Sequence, residues 1–209
     1  MPRFSLPRPA TLLILIVGLL LGWLTSGVIR YIALPAPASV HYHANFQMVV
    51  DGQPVDFAQA KYMEETTACY LSTGKLKPRQ RAHLHNNDGS TVHVHTDSVS
   101  WGQFFQSLNF NLGPTYFVDD TGTVYANSAD KKVHYFLNGS EVQNAANTII
   151  SDDDRLLVAY GSYTSDQLKQ LANAVPTTAH DFDERQDPAT CSGAKPETRT
   201  ERLKRAFLF

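Results

Sequence analysis

Between Ala10 and Ile29 the chain reads ATLLILIVGLLLGWLTSGVI, uncharged and almost wholly apolar. Backbone amides in hydrocarbon must find partners within their own segment, so such a run has one spanning form, an α-helix, and about 20 residues suffice to cross the apolar layer. No other stretch of the sequence is long and apolar enough to do the same. Arg3 and Arg8 precede the run, and only Arg30 follows it before Lys61. That positive bias places the N-terminus in the cytoplasm and everything downstream outside. The expected organisation is a cytoplasmic N-terminus over residues 1–9, a single-pass anchor in the cytoplasmic membrane over 10–32, a linker over 33–39, an extracytoplasmic domain over 40–176 and a polar tail over 177–209. Prolines stiffen the linker, Leu34-Pro-Ala-Pro-Ala-Ser39. A cleavable signal peptide is the competing reading, since Ala36-Pro37-Ala38 imitates a small-residue cleavage site. The apolar run exceeds a usual h-region, which favours a retained anchor.

About 140 residues then remain for one domain, enough to bury a reasonable core. The formal net charge of −2 offers no basic face for nucleic acid. Only two cysteines occur, Cys69 and Cys191. Outside the cytoplasm an even pair without C-x-x-C spacing reads as a structural disulfide, which would pin the tail to the domain; free thiols serving a soft Cu(I) ion are the alternative.

Six of the eight histidines fall in three His-x-His pairs, His41/His43, His83/His85 and His93/His95. In a strand the side-chain period is two, so each pair puts both imidazoles on one face about 7 Å apart. Neutral imidazole is the commonest protein ligand for Zn and Cu, and three pairs can build one His-rich metal site or two adjoining ones. A single His-x-His is ordinarily two surface residues. The threefold repetition has no such explanation, because exposed histidines offer a fold little stability.

The surrounding pattern supplies the strands. Asn45 to Phe57 alternates around Asp51-Gly52, a strong hairpin signal, so His41 and His43 open a strand. His83 to His95 reads as two strands about Asn87-Asp88-Gly89, a hairpin whose four histidines face one side; a one-residue slip would put Leu84 and Val94 there instead. Ser100 and Gln103 form a capping box with Val99 and Phe104 as staple, and Trp101, Phe104, Phe105 and Leu108 make the core stripe of a helix that Gly113-Pro114 should stop. Further hairpins are expected at 116–125 and about Asn138-Gly139, which also matches an N-glycosylation acceptor. Asp152-Asp153-Asp154 lacks the spacing of a calcium loop and reads as a solvated turn before a last strand over 155–160. Thr164 with Gln167 caps a helix that Pro176 ends. His134 reads as an isolated half-buried histidine. The end, Arg199 to Phe209, mixes cations with aromatics and reads as a disordered basic tail, with an anionic membrane surface or a partner as its other possible use.

The fold class expected is α+β, an anchor helix followed by a small mixed or antiparallel sheet domain. From Val92 to Tyr160 the order of strand, helix, strands, "LNGSEV" and "RLLVAYG" resembles a β-grasp. From His41 to Gly161 the chain also resembles an uncharacterised family of membrane-anchored extracytoplasmic bacterial and archaeal proteins, through HANF, HLHNNDGSTVHVH, a Trp/Leu-Gly-x-Phe-Phe helix start, LNG and a closing YG. In that family an acidic residue often stands at the position of His95 and Asp or His at that of Asn45, which makes His43, His83, His85 and His93 the foremost ligand candidates. The resemblance implies membrane anchoring and a histidine site, and no reaction.

Three functions fit these features. The first is a membrane-anchored protein binding Cu or Zn through the paired histidines. The second is a metalloenzyme, a copper redox enzyme or a zinc hydrolase or hydratase, which would need a general acid or base; Glu64, Glu65, Asp88 and Asp97 are available, but no spacing singles one out, and no catalytic residue is assigned. The third is a histidine pH sensor without metal. No protein partner is indicated.

Overall fold

A computed structural model describes residues 9–34, 40–64, 77–183 and 199–207. In chain order it contains helix α1 (Pro9–Ala33), strands β1 (Tyr42–Val50) and β2 (Gln53–Pro54), a 3-10 turn at Ala60–Tyr62, helix α2 (Pro78–Arg81), strands β3 (Ala82–His83) and β4 (Thr91–Val94) and helix α3 (Trp101–Ser107). Strands β5 (Asn111–Leu112), β6 (Tyr116–Val118), β7 (Val124–Ala126), β8 (Lys132–Leu137), β9 (Ser140–Val142) and β10 (Arg155–Gly161) follow, then helices α4 (Ser165–Ala174), α5 (Ala179–Asp183) and α6 (Arg199–Phe207). Residues 35–39 of the expected linker (33–39) and both cysteines, with their expected pairing, lie outside the described residues. The chain divides into two compact units, Met1–Ala38 with Ala194–Phe209, and Ser39–Gly193.

In the first unit, α1 is one helix long and apolar enough to cross a membrane, and a signal sequence passes the same test. Residues 199–207 are helical, where a disordered tail was expected. Their order comes from contacts with α1: Phe207 meets Trp23 edge-on at 5.2 Å, Gly27 leaves room for its ring, and Arg202 donates to the carbonyls of Tyr31 (2.9 Å) and Leu34 (3.2 Å).

The second unit is α+β. Its main sheet has the order β3-β4-β1-β10-β8-β9, with β2 paired to β1, and β5-β6-β7 form a small second sheet. The central pair β1–β10 is parallel and the other pairs are antiparallel, so the sheet is mixed. Within the stretch read as β-grasp-like, Val92 to Tyr160, the strand before the helix, β4, does not pair with β10; β1 stands between them, antiparallel to β4 and parallel to β10. Both tight hairpins form where their turn residues call for them. Asp51 (φ 50°) with Gly52 (φ 82°) and Asn138 (φ 52°) with Gly139 (φ 79°) take the paired left-handed conformations that match the twist of the flanking strands.

Burial on both faces of the sheet follows from the period of two. One face carries Ala44, Phe46, Met48, Leu84, Val92, Val94, Leu156 and Val158 into the main core, against Trp101, Phe104 and Phe105 of α3. Each large side chain buried there contributes about 2 kcal/mol. On the other face Val49, Phe136, Leu157 and Ala159 pack against Leu168, Ala172 and Val175 from α4. That second layer lies over β8, β10 and the far end of β1 at Val49. The start of β1, with β4 and β3, carries the histidines.

Three expectations change. Helix α3 ends at Ser107, ahead of Gly113-Pro114, because Asn109 takes a left-handed conformation (φ 67°) just past the Leu108 cap. The acidic turn is not wholly solvated: Asp154 is buried, accepting from Asn138 Nδ2 (2.8 Å) and from the Ser151 amide (2.8 Å). The same bonds, with Asn138 Oδ1 accepting from the Arg155 amide at 2.8 Å, engage both ends of the side chain in the Asn138-Gly-Ser140 acceptor motif and explain it as a turn. Finally, the compact unit runs beyond Pro176 and takes in α5, which the residues before it could not signal.

Candidate metal centre

The histidines come together because β4 is paired on both sides. Across β1–β4, His43 stands opposite His93, and across β3–β4, His83 stands opposite His93. These three imidazoles therefore form a row across neighbouring strands roughly 4.8 Å apart. His41, His85 and His95 lie two residues from members of that row and so share its face. The hairpin loop that sets this register is held by Asn86 and Asn87 in left-handed conformations (φ 57° and 59°), and by Asp88 Oδ1, which accepts from the Ser90 amide (2.8 Å), its hydroxyl (2.7 Å) and the Thr91 amide (3.2 Å). Gly89 sits where any Cβ would strike the Phe57–Ala58 backbone.

The six rings close into a circuit. Centroids lie 4.7 Å apart for His41–His95, 4.9 Å for His95–His83, 5.6 Å for His83–His85, 3.7 Å for His85–His93, 4.4 Å for His93–His43 and 4.6 Å for His43–His41. His85 Nε2 and His93 Nδ1 share a hydrogen bond of 3.1 Å. One ring nitrogen from each of His41, His43 and His93 lies within 4.8 Å of the other two. Imidazole nitrogens bind Zn at about 2.0–2.1 Å, so donors on one ion stand within about 4.2 Å of each other, a small side-chain rotation away from the spacing seen here. All six expected ligands are thus brought to one place, and His41, His43 and His93 form the triad nearest to ligand geometry.

All except His41 are buried, His93 at 0% exposure and His95 at 4%. Burial, and then the neighbouring imidazoles, push His83 down to about 3 and His95 down to about 2, and hold His93 far below its ordinary value. The Arg79 backbone opposes the shift at His83 without meeting hydrogen-bond geometry. These rings are neutral at neutral pH, which is the form that binds metal. Neither ring nitrogen of His83 or of His95 makes a hydrogen bond. Buried, unsatisfied polar nitrogens cost the fold about 1–3 kcal/mol each, and a bound cation could take the lone-pair nitrogen of each of these two rings.

A cover that the sequence did not reveal lies over the centre. Phe182 of α5 stands 5.6 Å from His43 and 5.3 Å from His93, ring to ring. Asn45, 0% exposed, brings it there: its Oδ1 accepts from the Ala179 amide at 2.8 Å, and its Nδ2 donates to Thr178 Oγ1 (2.9 Å), Thr91 Oγ1 (3.2 Å) and the Ser90 carbonyl (3.2 Å). Asn45 is therefore a clamp in this chain. The one available signal was a polar residue alternating on the histidine face of β1.

No carboxylate joins the group among the described residues. Asp88 is engaged in its own turn, the amide of Glu64 pairs with the Leu84 carbonyl, and Glu65 lies outside the described residues. His134 pairs with Glu141 (3.0 Å) and His180 lies 3.7 Å from Asp153; neither belongs to the group of His41, His43 and His93. No protein-family model, curated protein or solved structure matches this chain.

Proposed function

We propose that this is a membrane-anchored protein that binds copper or zinc outside the cytoplasm, capturing or passing the ion through its paired histidines. The observation that carries the reading is the approach of ring nitrogens from His41, His43 and His93 to within 4.8 Å of one another on a buried face. The single apolar helix α1 supports the anchor, and the bias of Arg3 and Arg8 over Arg30 supports an outside location for the domain. Family resemblance through the HANF and HLHNNDGSTVHVH blocks agrees with a tethered histidine site and adds no reaction.

Binding is favoured over catalysis because a hydrolytic zinc site requires a proton-transfer group within hydrogen-bond reach, and among the described residues the cluster holds none. A sensor responding near pH 6 is disfavoured by the same burial that keeps His83, His93 and His95 neutral well below that pH. The test is an equilibrium titration of the full-length protein in detergent, with Cu+ and Zn2+ competed against a coloured chelator at pH 7.5. Tight binding in the parent, weakened at least 100-fold by His43→Ala with His93→Ala, supports the reading. Equal affinity in parent and double variant refutes it.

A further inference from the structure

We infer that the histidine circuit is a two-ion centre, holding a pair of copper(I) ions, with His41, His43 and His93 around one and His83, His95 and His85 around the other. The inference rests on the metal-binding reading above and asks how many ions that site takes.

Donor count is the first ground. Zinc takes four ligands in its common geometry and copper sites use few imidazoles, so six histidines exceed what one ion needs. The second ground is where the unsatisfied nitrogens lie. An ion held by His41, His43 and His93 leaves His83 and His95 as they stand, each nine-tenths or more buried with neither nitrogen hydrogen-bonded. His83 and His95 are stacked 4.9 Å apart and His85 lies 5.6 Å from His83, ring to ring, so three further imidazoles stand beside the first set, more widely spaced than the nitrogens of His41, His43 and His93 and needing side-chain rotation to converge on an ion. The His85–His93 hydrogen bond joins the two sets and engages one nitrogen of each, His85 Nε2 and His93 Nδ1. With both rings neutral, that bond leaves a far lone pair on the donor ring only, so loading both sets requires the His85–His93 bond to open.

Charge selects the ion. Imidazole binds a metal as a neutral ligand and brings no negative charge, and among the described residues no carboxylate joins the His41, His43 and His93 group. The cost of desolvating an ion grows steeply with its charge, so a buried neutral cage accepts two monovalent ions where two divalent ones would leave four uncompensated charges. Copper(I) is monovalent and binds imidazole.

The experiment uses the full-length protein in detergent, under anaerobic reducing conditions, loaded with Cu+ and freed of excess. Two copper ions per chain are expected, and one or none overturns the inference. One ion, lost on changing His43 and His93 to Ala, would leave the metal-binding reading standing; none at all would remove both. His83→Ala with His95→Ala should reduce the stoichiometry from two to one, and retention of two also overturns the assignment. Should that variant fail to fold, X-ray absorption on the loaded parent decides: a copper–copper scattering path at about 3.5–4 Å is expected, as in other two-metal sites, and its absence counts against the pair.

Discussion

Asn45 and Arg155 are register partners across the central parallel strands, and from adjacent positions they grip one stretch of chain. Arg155 donates through Nη2 to the carbonyls of Asn173 (2.9 Å) and Val175 and through Nε to that of Pro176 (3.3 Å), satisfying the C-terminal end of α4. Asn45 takes the chain up again at Thr178 and Ala179. Between them they turn it back over the histidine face and deliver Phe182. The cover of the histidine cluster thus depends on two polar residues outside it.

Replacing Asn45 with Ala should therefore loosen α5 while leaving the sheet intact. A buried acceptor and donor lose their partners, which costs on the order of 2 kcal/mol. Hydrogen exchange is expected to rise at 178–183 and not in β1 or β10. Unchanged protection at Ala179 would contradict the clamp.

Acid should destabilise the metal-free domain. An unfolded chain takes up protons on histidine near 6.5, whereas the folded chain holds His83 at about 3 and His95 at about 2. The unfolded state binds more protons across that interval, so stability is complete above about 6.5 and declines as pH falls from there toward 3, by about 1.4 kcal/mol per pH unit for each such histidine. Urea midpoints at pH 7.5, 6 and 5 check this. A midpoint that holds steady or rises on acidification contradicts burial of neutral rings.

His134→Ala and His180→Ala should leave metal affinity within about twofold, since each pairs with a carboxylate and neither belongs to the group of His41, His43 and His93. A tenfold loss from either change would place a ligand outside the six.

Without the anchor, residues 39–193 should be soluble and unfold in one cooperative transition, because they form a compact unit. Ending the chain at Val175 removes the bonds to Asn45 and exposes His43 and His93, so that shorter form should unfold at lower denaturant. Identical midpoints would show that α5 contributes nothing.

Much of the centre was legible in the sequence. His-x-His needs only the strand's period of two to place both rings on one face, and the Asn-Gly and Asp-Gly turns fix their hairpins within four residues. Leu84, Val92 and Val94 fall on the opposite, core face as that register requires. What could not be read were choices made by distant segments. Nothing local to β1 says that it pairs with β4 on one side and runs parallel to β10 on the other, yet this is what sets His43 beside His93. Helix α5 is five residues long, too short for any periodicity, and its place depends on Asn45, 134 residues earlier. Likewise α6 carries Leu203, Ala206 and Phe207 at helical spacing, but nothing local to them names Trp23 as the partner.

The most direct test of metal binding is elemental analysis of the full-length protein, purified without a histidine tag and without added metal, at pH 7.5 and again after dialysis to pH 4. Copper or zinc at one or more ions per chain is expected at the higher pH, absent from the form in which His43 and His93 are both Ala, and greatly reduced at pH 4, where proton uptake by the unfolded chain destabilises the fold that holds the donors together. A parent protein that carries no transition metal at pH 7.5 and takes none up on exposure to Cu+ or Zn2+ would contradict it.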